Sequence, residues 1–322
     1  MNRKRNKKPT YYLYVSLLLC AALFTTTVLV DKCSSPQSSD GGKWGRVNAD
    51  DSYVTGETAD GTQSVASSHT QEIIDYQMQE APSEGLSQEV YENLEQPAPL
   101  SGKPEVILFK TDFIISYNTS TLCPNYVAWH LTPSRLKGSA QRLDQFSGDM
   151  VLNERLRVLS EDYAGSGYDR GHLCPAADNK HNEASMAETF LMTNVCPQSH
   201  GLNEGDWNEL EQQCRSWVKN YGDLYIVAGP IFNSKSPKKI GRRKQCKISV
   251  PDRFYKVVLS MGSEPKAIGF VYPNEAVHAE IRSYAVSVSQ VERMTGIDFF
   301  PNLPDDMERK VERTCNPAAW GI

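Results

Sequence analysis

An α+β fold around a mostly antiparallel sheet is predicted by three features of this sequence. Short runs rich in β-branched and aromatic residues recur between breaks at Gly, Pro or Asn; no regular strand-to-helix alternation links them; and one strongly amphipathic helix stands among them. A doubly wound parallel sheet needs a crossover helix between successive strands, so the missing alternation argues against it.

The strand-like runs are VILFK from Val106, FIISYN from Phe113, YVAWHLT from Tyr126, LYIVAG from Leu224, FYKVVLS from Phe254 and KAIGFVY from Lys266. The clear helix lies in NEGDWNELEQQCRSWVKN, where Trp207, Leu210, Cys214, Trp217 and Val218 share one stripe at helical spacing. Glu211 and Arg215 flank that stripe four residues apart, the spacing of an ordinary helical ion pair worth a few tenths of a kcal/mol. A further helix starts at Ser287, where Gln290 completes a capping box, and stops at Gly296. No internal repeat is evident.

The ends of the chain are different in kind. Residues 1–10 carry five positive charges, and residues 11–30 are charge-free and mostly apolar, long enough to span a membrane. Flanking bases stay on the cytoplasmic side, so residues 11–30 read as a signal anchor that leaves the remainder extracytoplasmic, periplasmic or extracellular. A cleaved signal peptide, giving a secreted form, is the rival; its apolar core would be shorter and end at small residues, for which Thr25, Thr26 and Thr27 are a poor match. Lipid attachment at Cys20 or Cys33 has a poor local context. Residues 31–100 are rich in Ser, Thr, Gly and Gln, with 13 acids against 3 bases, and read as a disordered acidic tether with at most a transient helix at Gln71 to Gln79.

Against a chain total of −5, these segments leave residues 101–322, the folded domain, neutral. Overall charge therefore gives no sign of a nucleic-acid partner. The exception is KSPKKIGRRKQCK, residues 235–247, with seven Lys and Arg and no acid, which reads either as a solvated loop or as a phosphate-binding strip. Six cysteines (Cys123, Cys174, Cys196, Cys214, Cys246 and Cys315) fall in the folded part, an even number that fits disulfides in an exported chain, in any of fifteen pairings. His172 and Cys174 lie close enough to suggest zinc, but no paired C-x-x-C supports it.

The stretch GYDRGHLCPAADNK, residues 167–180, groups Asp169, Arg170 and His172 around Gly171, unlike any core strand. A histidine suits activation of water near neutral pH, since its ordinary pKa is about 6.5. Downstream, TNVCPQSHGLNEGDWNELE, residues 193–211, supplies amides and carboxylates that suit Mg²⁺, a hard cation that keeps much of its water. Phosphoryl transfer follows as the candidate reaction.

DRGH at 169–172, TN and PQ at 193–198, LNEGDWNELE at 202–211, PDRFYKVV at 251–258 and TGIDFFPNLP at 295–304 together resemble the DNA/RNA non-specific endonucleases. These are ββα-metal, or His-Me finger, nucleases of the endonuclease G-like kind, and the resemblance runs from about Lys103 to Leu303. It implies a ββα-metal fold with a central, mostly antiparallel sheet flanked by helices. By position, His172 resembles the general base, Asn203 the direct ligand of Mg²⁺ and Glu211 the residue holding a water on the metal. Arg170 and Asn194 resemble supports beside the base, and Arg215 an arginine that steadies the phosphate or leaving group. Gln198 matches a substrate-side position, while the expected upstream catalytic arginine falls on Arg142, with Arg135 second.

The function implied is Mg²⁺-dependent hydrolysis of DNA and RNA to 5′-phosphate products, with Mn²⁺ as the alternative ion and no organic cofactor. Attack by water needs no 2′ hydroxyl, so both sugars are accepted. In this setting Lys238, Lys239, Arg242, Arg243 and Lys244 become candidates for backbone contacts, and the resemblance leaves room for a homodimer. A membrane-tethered nucleic-acid receptor without cleavage is the competing function, opposed by the intact His172, Asn203 and Glu211. A zinc-stapled interaction domain is the third.

Overall fold

The computed structural model describes residues 91–143 and 145–322. The basic segment 1–10, the predicted anchor 11–30, the tether as far as residue 90, and Cys20 and Cys33 lie outside the described residues. Among the described residues no helix is long and apolar enough to cross a membrane.

In chain order the strands are β1 (Val106–Phe109), β2 (Ile114–Asn118), β3 (Cys123–Leu131), β4 (Asp169–His172), β5 (Val195–Gln198), β6 (Leu224–Ile231), β7 (Lys239–Ile240), β8 (Ile248–Ser249), β9 (Arg253–Ser260), β10 (Lys266–Pro273) and β11 (Ala285–Val286). The α-helices are α1 (Glu183–Thr189), α2 (His200–Glu204), α3 (Asp206–Tyr221), α4 (Val288–Thr295) and α5 (Asp305–Arg313). Seven strands form one sheet in the order β1-β2-β3-β6-β9-β10-β11, every neighbouring pair antiparallel. β4 pairs with β5, and β7 with β8, as separate two-stranded ribbons.

The central strands are buried on both faces, so they read as apolar runs instead of a polar/apolar alternation. Side chains of one parity, such as Trp129, Ile226, Phe254 and Phe270, pack with Trp207, Leu210, Cys214 and Trp217 of α3. Those of the other parity, such as Tyr126, Val227, Tyr255 and Leu259, pack with Val288 and Val291 of α4, Val311 of α5, and the Phe299 and Phe300 loop. The α+β architecture is therefore a sheet between two helical layers. α4 begins and ends as its sequence requires: Ser287 and Gln290 form the capping box, and Gly296 supplies the left-handed residue at φ 68°.

Three expectations change. Residues 91–100, assigned to the tether by composition, pack on the domain, with Leu94 buried and Ala98 N–H donating to the Asp298 carbonyl at 2.9 Å. Disulfides do not form among the six described cysteines, five of which are buried as small apolar residues. Zinc has no place at the His172 and Cys174 pair: Cys174 accepts a hydrogen bond from Asn179 Nδ2 at 3.5 Å, while the His172 ring packs on phenylalanines.

Candidate active site

β4 and β5 form a hairpin in which Asp169 faces Gln198 and His172 faces Val195. α2 and α3 follow directly, giving a strand, strand, helix unit. Its parts are joined where the chemistry sits: Trp207 Nε1, in the first turn of α3, donates to the His172 carbonyl at 3.2 Å. Gly171 is required because Gln198 lies against its Cα, and a Cβ there would fall 2.6 Å from Gln198 Cβ. The unit opens on a cleft of about 680 Å³ whose lining includes His172, Arg170, Arg142, Asn203, Glu211 and Arg215.

His172 stands half-buried, its ring 5.0 Å from that of Phe146 and 5.1 Å from that of Phe190. Nε2 is shut from solvent without a hydrogen-bond partner, which leaves Nδ1 for exchange with the cleft. Burial, helped by the positive charge of Arg142, lowers its pKa to about 3, so the ring is neutral at pH 7 and free to accept a proton. Glu211 moves the other way: burial raises it to about 7 against the opposing pull of Lys256.

Asn203 donates through Nδ2 to Asp169 Oδ2 at 3.0 Å, which fixes the amide and leaves its carbonyl oxygen for a cation. The same carboxylate oxygen holds His200 Nδ1 at 2.9 Å, so Asp169 orients its neighbours as well as forming an ion pair. Glu204, Asn208 and Glu211 also line the cleft, and the oxygens they offer with Asn203 fit a hard divalent ion.

The arginines divide by task. Arg170 is exposed, stacked 5.0 Å over Phe146 and bonded to Ser160 Oγ at 3.0 Å. Arg142 lies 5.2 Å over Phe190 at the cleft. Arg215 pairs with buried Asp178 at 3.1 Å, so the helical ion pair with Glu211 does not form. Arg135 is buried and spent on the carbonyls of Asp112 and His130 at 2.8 and 2.7 Å, away from the cleft.

Other sequence-predicted residues lie elsewhere. Asn194 is fully buried, accepting from Cys174 N–H and donating to the carbonyls of Cys174 and Thr189, so it holds the backbone after His172 and does not line the cleft. Gln198, expected on the substrate side, is fully buried behind Gly171. In the basic run, Lys238 sits 4.8 Å over Tyr168, a cleft residue, and Lys239, Arg242 and Lys244 are exposed. Arg243 is not available for phosphate: it grips buried Asp162 through Nε and Nη2 at 3.0 and 2.6 Å and donates to the Arg157 carbonyl. Burial pushes the Asp162 carboxyl up, but hydrogen bonds from Arg243 and the Leu159 N–H bring it below its ordinary value.

Sequence reasoning missed Phe146 and Phe190, which cage the histidine, and Lys256 of β9. Lys256 is fully buried, 4.5 Å over Trp207 and 5.3 Å over Trp129, and its Nζ has no hydrogen-bond partner. The available signal was a lysine in the middle of the apolar run FYKVVLS.

Residues 90–306 match the DNA/RNA non-specific endonuclease family. Over 211 residues the chain is 36% identical to the mitochondrial nuclease EXOG of Danio rerio, covering 61% of each chain. It is 36% identical over 218 residues to a nuclease of Nostoc sp., covering 64% of this chain and 77% of that one. Human mitochondrial endonuclease G is 32% identical over 205 residues, 60% of this chain and 69% of its own. The chain thus spans about three fifths of the length of the EXOG relatives. A solved complex of EndoG with its inhibitor EndoGI superimposes with a TM-score of 0.58 at 28% identity, covering 62% of this chain and 88% of that chain. Its fold is the ββα-metal nuclease fold seen here in β4, β5 and α3. With the match extending from residue 90 across the sheet, the hairpin and the cleft helix, the chain belongs to the DNA/RNA non-specific endonuclease family.

Proposed function

We propose that the domain is a Mg²⁺-dependent endonuclease that hydrolyses phosphodiester bonds of DNA and RNA without regard to the sugar. One observation carries this reading: a neutral imidazole, an oriented amide oxygen and the buried Glu211 carboxyl meet in a single cleft with three arginines. His172 takes a proton from water at Nδ1 as the oxygen attacks phosphorus in line, and the bond to the 3′ oxygen breaks, that oxygen taking a proton from a further water, leaving 3′ hydroxyls and 5′ phosphates. A base with so low a pKa gains proton affinity when an anionic phosphate arrives beside it. Arg170, Arg142 and Arg215 offer positive charge to that phosphate, Arg215 being fixed by Asp178. Asn203 would hold Mg²⁺, or Mn²⁺ in its place, directly and Glu211 would hold one of its waters, and the ion's charge would stabilise the phosphate and the departing oxygen.

The test is plasmid DNA and RNA cleavage with Mg²⁺ or EDTA, alongside His172→Ala. Cutting of both substrates by the wild type, abolished by EDTA and reduced at least a hundredfold by the substitution with binding retained, is the expected result. A rate within tenfold of wild type would remove His172 from its role.

The charge-free run 11–30 behind five bases supports placing the domain outside the cytoplasm on a membrane anchor. Protease added outside intact cells should then degrade the domain while the chain sediments with membranes. A soluble domain lacking residues 1–30 would instead establish the cleaved form.

A further inference from the structure

α2 carries Asn203 yet spans 5 residues, too few to be stable as a helix by themselves. Its placement comes from residues 274–284, a strap that links β10 to β11 and lines no part of the cleft. Asn274 meets the chain just ahead of α2 with its whole side-chain amide. Oδ1 accepts from Ser199 N–H at 2.7 Å, and Nδ2 donates to the carbonyls of Pro197 and Pro251 at 3.1 and 2.9 Å. Ser199 is the N-cap of α2, and its carbonyl in turn accepts from Asn203 N–H at 2.9 Å. The oxygen donor of the cleft is thus one residue removed from the Asn274 amide.

The same strap holds the middle and the far end of α2. Ala276 packs on Gly201 so closely that a Cβ on the glycine would fall 2.5 Å from the alanine Cβ. Where α2 meets α3, buried Asp206 accepts from Tyr284 OH at 2.7 Å and from Ala279 N–H at 3.4 Å, and pairs with His278. The Tyr284 ring is fixed against Tyr272 of β10, with centroids 4.0 Å apart. Groups that only orient a metal ligand are felt at the metal, because a small displacement of the donor atom weakens its bond to the ion.

We propose that Asn274 and Tyr284 are positioning residues for the metal, fixing the two ends of α2 against the β4 and β5 hairpin so that the Asn203 oxygen stays in the cleft. This rests on the reading of Asn203 as the direct ligand. Mn²⁺ binding to the full-length chain in detergent is read from the electron paramagnetic resonance of the free ion, for wild type, Asn203→Ala, Asn274→Ala, Tyr284→Phe and Val291→Ala. The Mn²⁺ site lost in Asn203→Ala is the cleft site. Val291→Ala opens a cavity on the far face of the sheet and controls for lost stability alone. Asn274→Ala should weaken the cleft site about 10–100-fold. Tyr284→Phe keeps the ring and its packing, and should weaken the site several-fold in a chain that folds. Val291→Ala should keep wild-type affinity, and DNA binding in EDTA, which needs the basic side chains alone, should hold in every variant. Wild-type Mn²⁺ affinity in Asn274→Ala and Tyr284→Phe, or an equal loss in Val291→Ala, would overturn the assignment. Wild-type Mn²⁺ binding in Asn203→Ala would instead remove Asn203 as the ligand, and the positioning role with it.

Discussion

Arg243→Met separates a structural arginine from the proposed nucleic-acid contacts that surround it in sequence. The Asp162 side chain has no exposure and receives two charge-assisted hydrogen bonds from Arg243, so removing the guanidinium strands a carboxylate in the interior. Breaking a buried pair by deleting one partner costs about 3–5 kcal/mol, which at about 2–4 °C per kcal/mol lowers Tm by roughly 6–20 °C. Asp162→Asn in the same chain should add little, since both substitutions break one pair. Thermal unfolding followed by circular dichroism reads the effect, and its pH dependence has a definite sign. Asp162 is held below its ordinary 3.8, so the stabilisation is complete above that value and is lost as pH falls through the lower folded pKa. The gap between wild type and variant should therefore narrow below about pH 4. In contrast, Arg242→Ala and Lys244→Ala should leave stability within about 0.5 kcal/mol of wild type and flatten the salt dependence of DNA binding by roughly 0.9 for each phosphate no longer neutralised. A wild-type Tm in Arg243→Met together with a flattened salt slope would refute the reasoning.

Two further expectations rest on packing. Gly171→Ala drives a methyl into Gln198 and should cost about 1–3 kcal/mol; Gln198→Ala in the same chain should restore most of it, an outcome that a substrate-binding role for Gln198 does not provide. Lys256→Met replaces a buried ammonium that has no hydrogen-bond partner between two indoles, so Tm should hold or rise, while the Mg²⁺ concentration for half-maximal cleavage should climb several-fold because the largest of the charges opposing the burial of Glu211 is lost and only Arg215 and Arg142 remain. An unchanged Mg²⁺ dependence would show that Lys256 does not act on Glu211.

The local elements were legible because their causes are local. Each of the six strand-like runs is a strand, the Trp207 to Val218 stripe is one face of α3, and Ser287, Gln290 and Gly296 bound α4 through hydrogen bonds and dihedrals that span a few residues. The DRGH segment was legible as a candidate site because its charges have no use in a core. The site residues His172, Arg170, Asn203, Glu211, Arg215 and Arg142 do meet in one cleft.

What the tertiary structure alone decided is where each polar side chain is spent. Nothing near Arg243 in sequence distinguishes it from Arg242, yet a partner 81 residues away claims one and leaves the other in solvent. Arg215 turns from Glu211 to Asp178, 37 residues distant, and Gln198 is drawn under Gly171 by the pairing of β4 with β5. The same holds for Glu312, which meets Glu292 and Asp298 only after α5 packs on α4. Periodicity and capping act within a turn or a strand, so sequence exposes them; charge pairing and desolvation act across the folded interior, and only the assembled layers determine which charge is paired, buried or left free.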